Sequence, residues 1–208
     1  GITFQCASDK AVYLYNSGNI TIEDCNTLSA TKYGIYATGS YGFLTMLSDS
    51  IDGSATAGIL VTTSNAYLVL STDQNYIKNC GKGIHVENSN ANTIDNNVIE
   101  NSNSYGIYIK TSTAVTSISG NLITDVFSGN GIYLYRATTS IISGNTISGT
   151  CLHGLYIYAS NSSYSIGSIT SNEISNVVSG SDGIYIDRIN CNRVANNLIH
   201  DIGDDGIY

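Results

Sequence analysis

The stretch Gly106-Ile107-Tyr108-Ile109 decides the fold, because near-copies of it return along the whole chain. The copies are Gly34-Ile35-Tyr36-Ala37, Gly58-Ile59-Leu60-Val61, Gly83-Ile84-His85-Val86, Gly131-Ile132-Tyr133-Leu134, Gly154-Leu155-Tyr156-Ile157, Gly183-Ile184-Tyr185-Ile186 and Gly206-Ile207-Tyr208, with Ala11-Val12-Tyr13-Leu14 as a weaker first member. Their residue numbers place successive copies about 23 to 29 residues apart. A repeat of this length predicts one elongated domain, residues 1–208, whose coils contact mainly their neighbours.

A second motif, Asn-x-Ile or a close relative, follows each glycine at a near-constant offset and supports the same register. Its copies are Asn26-Thr27-Leu28, Asp49-Ser50-Ile51, Asn75-Tyr76-Ile77, Asn97-Val98-Ile99, Asn121-Leu122-Ile123, Asn145-Thr146-Ile147, Asn172-Glu173-Ile174 and Asn197-Leu198-Ile199. Each coil then holds three short pieces that alternate apolar and polar residues, which is the period of a β-strand. Stacked coils of this kind predict an all-β, right-handed parallel β-helix solenoid with three parallel sheets and about eight coils of about 24 residues.

The repeat also predicts where its own residues lie. We expect the glycine to mark a turn, the aliphatic residues to point into the core, and the tyrosine to point outward. The asparagines, one in each coil at a corner, are expected to stack as an amide ladder along the solenoid axis.

Composition argues against several partners. The 208 residues carry 8 Lys and Arg against 16 Asp and Glu, a formal net charge of −8. Nucleic acids and anionic membrane surfaces require a basic footprint, so neither is expected as a partner. No apolar run approaches the roughly 18 residues that span a bilayer, and we expect no membrane insertion. The 5 cysteines match no metal-site spacing; buried or turn thiols are favoured, with intermolecular bridges as the alternative.

The two ends of the sequence show no polar cap. Ile2-Thr3-Phe4 begins as if inside a coil, and Gly206-Ile207-Tyr208 opens another. Solenoids need caps because an uncovered terminal coil presents unpaired backbone groups and apolar surface. We therefore expect either a fragment of a longer chain or a subunit whose ends meet other subunits.

The Gly-Ile-Tyr-Ile and Ser-Gly-Asn-x-Ile motifs resemble those of right-handed parallel β-helix repeat proteins of the pectate-lyase-like superfamily, over essentially the whole chain. The resemblance implies an extracellular or cell-surface protein that either builds a surface structure or acts on polysaccharides. Epimerases of this fold carry Asp-Pro-His, which a chain without proline cannot have. Leu152-His153-Gly154 and Asp187-Arg188-Ile189 match polygalacturonase-like motifs only in part, so no enzymatic activity is carried over.

The outward tyrosine column is the first candidate site. The binding candidates are Tyr108, Tyr133, Tyr156 and Tyr185, joined two residues further along the strand by Tyr135 and Tyr158. Tyrosine rings can stack on sugars, form a protein interface, or merely stack on each other and stiffen the sheet. The sequence leaves these three roles open.

An acid/base cluster lies beside that column. His153, Asp182 and Asp205 precede their glycines in consecutive coils, with Asp187 and Asp204 close by. Two carboxyls about 5 Å apart are what a retaining glycosidase needs, and His153 could carry a proton. Clustered carboxylates could also hold calcium, the only cofactor that the sequence suggests. Ordinary turn chemistry explains the aspartates equally well.

The remaining candidates are isolated residues. His85 and His200 are predicted to be solvated surface histidines. Asn19 and Asn161 head Asn-x-Ser/Thr sequons and are predicted glycosylation sites in a secreted host.

Two functional hypotheses follow from these features. The first is an extracellular structural β-helix module, not an enzyme, that self-associates into a surface or filamentous assembly. The alternative is a polysaccharide-binding or polysaccharide-processing domain of lyase, hydrolase or epimerase type.

Overall fold

The computed structural model describes residues 3–5, 9–39, 42–62, 68–150, 152–160 and 163–208. Every regular element in these ranges is a β-strand. The strands pair in parallel throughout, and each pairs with the equivalent strand of the next coil. None of the described residues forms a helix with the length and apolar character needed to cross a membrane.

The strands lie on three faces. Face 1 carries the Gly-Ile-Tyr motif and consists of Lys10–Tyr15, Tyr33–Thr38, Ala57–Thr62, Lys82–Glu87, the first parts of Tyr105–Ser119 and Ile132–Ser143, Leu155–Tyr158 and Ile184–Asp187. Face 2 consists of Ile20–Glu23, Gly42–Leu47, Leu68–Asp73, Asn90–Asp95, the last parts of the same two long strands, Ser165–Thr170, Asn190–Cys191 and Val194–Ala195. Face 3 consists of Thr3–Gln5, Asn26–Ser29, Ser50–Asp52, Tyr76–Lys78, Val98–Ser102, Leu122–Val126, Thr146–Thr150, Glu173–Val177 and Leu198–His200.

The predicted all-β parallel solenoid is confirmed. Face 3 contains a 7-stranded sheet, so the chain makes about seven turns, close to the predicted coil count. Faces 1 and 2 form a single 15-stranded sheet, because the strands Tyr105–Ser119 and Ile132–Ser143 continue through the corner between them. The three predicted sheets are thus the three faces, two of which are joined.

The alternation within the repeat places the core. Ile107 and Ile109 are fully buried, whereas Tyr108 between them is partly exposed on the outer surface. Ile123 from face 3 meets them inside the solenoid. The inward and outward directions predicted from the motif are confirmed, and the inner coils bury a similar aliphatic set, whereas Val12 and Leu14 are partly buried and Ile207 is exposed.

The glycine of the repeat has a different role from the one expected. Gly106 lies within a strand, where a Cβ atom would come within 2.5 Å of Ile123 Cγ2 and 2.6 Å of the Gly131 carbonyl oxygen. Gly106 is needed for this close approach and the turn prediction was wrong for it, whereas Gly131, Gly154 and Gly183 lie in bends immediately before their strands. The corners are instead formed by residues with positive φ, as at Asn88, Asn96 and Asn101 in a single coil.

The asparagine ladder is present from Asn75 onward. Asn97 Nδ2 donates to Asn121 Oδ1 at 3.0 Å, and Asn121 Nδ2 donates to Asn145 Oδ1 at 2.9 Å. Each Oδ1 also accepts the backbone N–H of the preceding ladder residue. The ladder continues through Asn172 and Asn197. It satisfies buried polar groups that the corner would otherwise leave unpaired.

The first coil departs from the predicted ladder. Cys25, and not Asn26, occupies the ladder position, because its backbone N–H donates to Asp49 Oδ1 at 2.9 Å. Cys25 and Cys80 are buried free thiols, and Cys191 is a partly buried one. Burial raises the pKa of Cys80 to about 11, so this thiol stays protonated. Cys6 and Cys151 lie outside the described residues.

Candidate functional site

Face 1 carries a continuous stack of aromatic rings. We define the aromatic stripe as His85, Tyr108, Tyr133, Tyr156, Tyr185 and Tyr208. Consecutive ring centroids are 4.8, 5.0, 5.0, 4.9 and 4.8 Å apart along this series. Leu60 separates the stripe from a shorter stack of Tyr13 on Tyr36, 5.5 Å apart.

The stacking decides what the stripe can offer to a partner. Tyr108 stacks on Tyr133 with planes 19° apart, whereas the Tyr133–Tyr156 and Tyr156–Tyr185 pairs are tilted by 49° and 37°. Burial raises the pKa of Tyr108 to about 12 and also raises the pKa of Tyr133, so these phenols are neutral hydrogen-bonding groups. The stripe therefore presents a row of rings about 5 Å apart that carry neutral hydroxyl groups.

A second aromatic pair lies on one side of the stripe. Tyr135 and Tyr158 stack with centroids 5.6 Å apart and planes 10° apart. The guanidinium carbon of Arg136 lies 5.1 Å from the Tyr135 ring centroid, and that of Arg188 lies 5.9 Å from the Tyr158 centroid. Sequence reasoning named the two tyrosines and quoted Arg188 only in the motif Asp187-Arg188-Ile189, and it missed Arg136. The sequence signal for the two arginines was their position immediately after the outward column. Both residues form the corner there and have positive φ.

The other side of the stripe carries the predicted acid/base residues, stacked in consecutive coils. The backbone N–H of Asp182 donates to His153 Nδ1 at 3.0 Å, and the backbone N–H of Asp205 donates to Asp182 Oδ1 at 3.0 Å. Asp182 Oδ2 lies 3.1 Å from His153 Nδ1. Burial lowers the pKa of His153, although the Asp182 carboxylate opposes this effect. The side chains thus serve the backbone of the next coil, as turn residues do.

The carboxylates form a compact group. One oxygen each from Asp182, Asp204 and Asp205 lie within 4.8 Å of one another, with Asp182 buried and the other two exposed. Asp187 stands outside this group, with its carboxylate 3.5 Å from Arg188 Nε. Such oxygens suit calcium, which takes six to eight oxygen ligands. A retaining glycosidase needs two carboxyls that both reach the substrate, whereas the Asp182 carboxylate is 7% exposed and already hydrogen-bonded.

The two remaining histidines differ in their surroundings. His85 is not a solvated surface residue, and that prediction was wrong. Its side chain is 11% exposed, its Nε2 is buried without a hydrogen-bond partner among the described residues, and burial lowers its pKa to about 4. His200 is exposed as predicted, and its contact with Asp201 raises its pKa.

Only one of the two predicted glycosylation sites lies among the described residues. Asn19 is exposed at a corner, and its Oδ1 accepts the backbone N–H of Phe43 at 3.0 Å. Asn161 lies outside the described residues. Glycan attachment at either position stays a prediction.

The fold and the stripe together define a parallel β-solenoid with one aromatic face. The family model for the right-handed beta helix region matches residues 1–73 and 58–208, and the chain therefore belongs to that family. Comparison with curated proteins and with solved structures found no match. Family membership shows the fold, and the function has to be argued from the site.

Proposed function

We propose that this chain is a structural β-helix module that self-associates through face 1 into an extracellular or cell-surface assembly. The observation that carries the proposal is the aromatic stripe, whose six rings lie in register on one outward surface. Aromatic side chains are enriched at the cores of protein interfaces. Their stacked arrangement loses little side-chain entropy on binding, because the rings are already held in place.

The flanks of the stripe support the same proposal. Tyr135 and Tyr158 widen the aromatic surface, and Arg136 and Arg188 place cations along its border. An apolar centre with a charged rim is the usual anatomy of a protein interface. The extracellular or surface location rests on the likeness of the repeat motifs and is tested by labelling intact producing cells with an antibody against the chain.

Self-association is tested by multi-angle light scattering over a concentration series. We expect the mean mass of the wild type to rise with concentration, and the double variant Tyr133→Glu/Tyr156→Glu to stay monomeric. Thr124→Glu, on face 3, is the matched control and should behave as wild type. Wild-type protein that stays monomeric at millimolar concentration would refute the proposal.

Polysaccharide binding or processing is the second candidate, favoured by the carboxylate group beside the stripe. One oxygen from each of its carboxylates lies within 4.8 Å of the others, which is compatible with the separation of about 5 Å that a retaining mechanism uses, and His153 adjoins Asp182. The buried Asp182 carboxylate weighs against catalysis unless substrate opens the corner. The stripe would then guide a glycan along the solenoid axis by its hydroxyl groups.

A glycan array combined with assays for reducing ends and unsaturated products tests this second function. Binding or turnover that is lost in Asp182→Asn and in Asp205→Asn would support it. No binding and no turnover across acidic and neutral glycans would remove it.

A further inference from the structure

We infer that a second copy of this chain docks on face 1 in antiparallel orientation, about a two-fold axis that runs along the strand direction and passes between Tyr133 and Tyr156. The inference rests on the proposed self-association and specifies its partner and register. In such an isologous dimer each residue meets its symmetry counterpart, so the face must be self-complementary when its coil order is reversed.

The column that precedes the glycines contains one pair that meets this requirement. Lys82 lies in the coil of His85 and Asp205 in the coil of Tyr208, and reversal about the axis between Tyr133 and Tyr156 brings them opposite each other. Glu87, the acidic residue on the strand of Lys82, is bound to Lys110 at 2.5 Å and lies 3.6 Å from His85. Glu87 thus acts on Lys82 only at longer range, and burial lowers the pKa of Lys82. A carboxylate from a partner would stabilise this cation.

Asp205 lies in an area with an excess of negative charge. It is exposed and grouped with Asp204 and the buried Asp182, so three carboxylates share one small area. Among the described residues the only basic group in contact with them is His153, whose pKa burial lowers. A lysine from a second copy would relieve this concentration of negative charge.

The column on the other side of the stripe is compatible with the same register, with Lys110 paired to Glu87 and Asp187 to Arg188 within each copy. Strand pairing places Lys110, Tyr135, Tyr158 and Asp187 at equivalent positions in four successive coils. Reversal about the same axis brings Lys110 opposite Asp187 and Tyr135 opposite Tyr158. A parallel pairing would instead bring Asp182 of one copy near Asp187 of the other, a contact between like charges, and Lys82 near Glu87, whose carboxylate is already bound to Lys110.

The surface is large enough for such a dimer. Six coils at about 4.8 Å and a strand of six residues at about 3.3 Å give a face of roughly 30 by 20 Å. The two copies would bury about 1,200 Å² in total, at the lower limit of stable interfaces. We therefore expect a reversible dimer with a dissociation constant of about micromolar order.

Charge reversal tests the register, with dimerisation measured by sedimentation velocity. Lys82→Glu and Asp205→Lys each create two like-charge contacts in the symmetric dimer, and each should raise the dissociation constant at least about tenfold. The double variant Lys82→Glu/Asp205→Lys restores both contacts and should return to within about threefold of wild type. Lys78→Glu, which removes a lysine on face 3, is the control and should have no effect.

The outcomes separate the two proposals. Recovery in the double variant supports the antiparallel register. Two results would overturn the register and leave self-association standing. In the first, the wild type and both single variants dimerise equally well. In the second, the double variant stays monomeric although its circular dichroism spectrum is native. Wild-type protein that never associates overturns both. Because Lys82 is partly buried, the exposed Asp205→Lys variant keeps the test valid if Lys82→Glu does not fold.

Discussion

Asp49 is the one acidic residue in the buried asparagine ladder, and replacing it with asparagine should stabilise the protein. Asp49 Oδ1 accepts the backbone N–H of Cys25, but its Oδ2 is buried without a hydrogen-bond partner among the described residues. At the equivalent position, Asn121 Nδ2 donates to the Ile94 carbonyl at 2.7 Å and to the next ladder oxygen at 2.9 Å. The carboxylate has no hydrogen to donate, so the ladder is broken in this coil.

The size of the gain follows from these contacts. Asp49→Asn keeps the shape of the side chain and adds up to two buried hydrogen bonds, each with a net value of about 0.5–1.5 kcal/mol. It also removes a buried acceptor that has no partner. We expect the free energy of unfolding at pH 7 to rise by about 2 kcal/mol, which raises the Tm by about 4 to 8 °C for a chain of this length.

The gain should depend on pH. Burial raises the pKa of Asp49 above its ordinary value of 3.8, so the native state holds this proton more tightly than the unfolded state does. The stability that comes from protonated Asp49 is fully present below pH 3.8. It is lost as the pH rises through the pKa of Asp49 in the native state. Asp49→Asn should therefore add most at pH 7 and least near pH 3.

Urea denaturation at several pH values measures the effect. The matched control is Asp125→Asn, which removes the same charge at an exposed corner with positive φ and should change stability by less than about 0.5 kcal/mol. A gain from Asp49→Asn that is no larger than that of the control would refute the hydrogen-bond account. An increase in the free energy of unfolding that is equal at pH 3 and pH 7 would refute the claim that Asp49 titrates with a raised pKa.

Three further predictions concern the core and the stripe. Gly106→Ala should lower the free energy of unfolding by about 1–3 kcal/mol or more, because its Cβ would overlap Ile123; an unchanged urea midpoint would contradict this. Asn121→Ala should cost about 3–5 kcal/mol in the same assay, since it removes two donated bonds, one of the bonds of Asn97 Nδ2 and the acceptor of the Asn97 backbone N–H; a loss below about 1 kcal/mol would contradict it. Acidification from pH 7 to 4.5 should destabilise the wild type by roughly 2 to 3 kcal/mol more than His85→Phe, because the native pKa of about 4 lies below the ordinary 6.5; equal acid sensitivity of the two proteins would contradict it.

The regular spacing of the Gly-Ile-Tyr repeat along the sequence was enough to predict the solenoid. Alternation in Ile107-Tyr108-Ile109 assigns the core and the outer surface, because a strand has only two sides. The reason for Gly106 could not be read from the sequence, since it depends on Ile123, a residue of another face. The sequence did not show that Cys25 occupies the ladder position, because Asn26 matches the motif. The hydrogen bond from Cys25 to Asp49 becomes visible only when neighbouring coils are stacked in the structure.

The candidate site was predicted only as a set of columns. Strand register placed Tyr133 above Tyr108 and Asp205 above Asp182, as expected from the repeat. Burial within those columns was not predictable, because it depends on how neighbouring side chains lean across the face. This is why His85 was expected in solvent and is instead covered beside the Tyr108 ring.

Hydroxyl-radical footprinting of the wild type over a concentration series tests the central claim, that face 1 is the surface through which this chain associates. Oxidation of Tyr133, Tyr135, Tyr156 and Tyr158 should fall at least about twofold as the concentration passes the dissociation constant. Oxidation of Tyr76, which lies on face 3 and donates to Glu100, should stay constant. Equal oxidation of the four face 1 tyrosines at every concentration, or protection of face 3 in their place, would contradict the account.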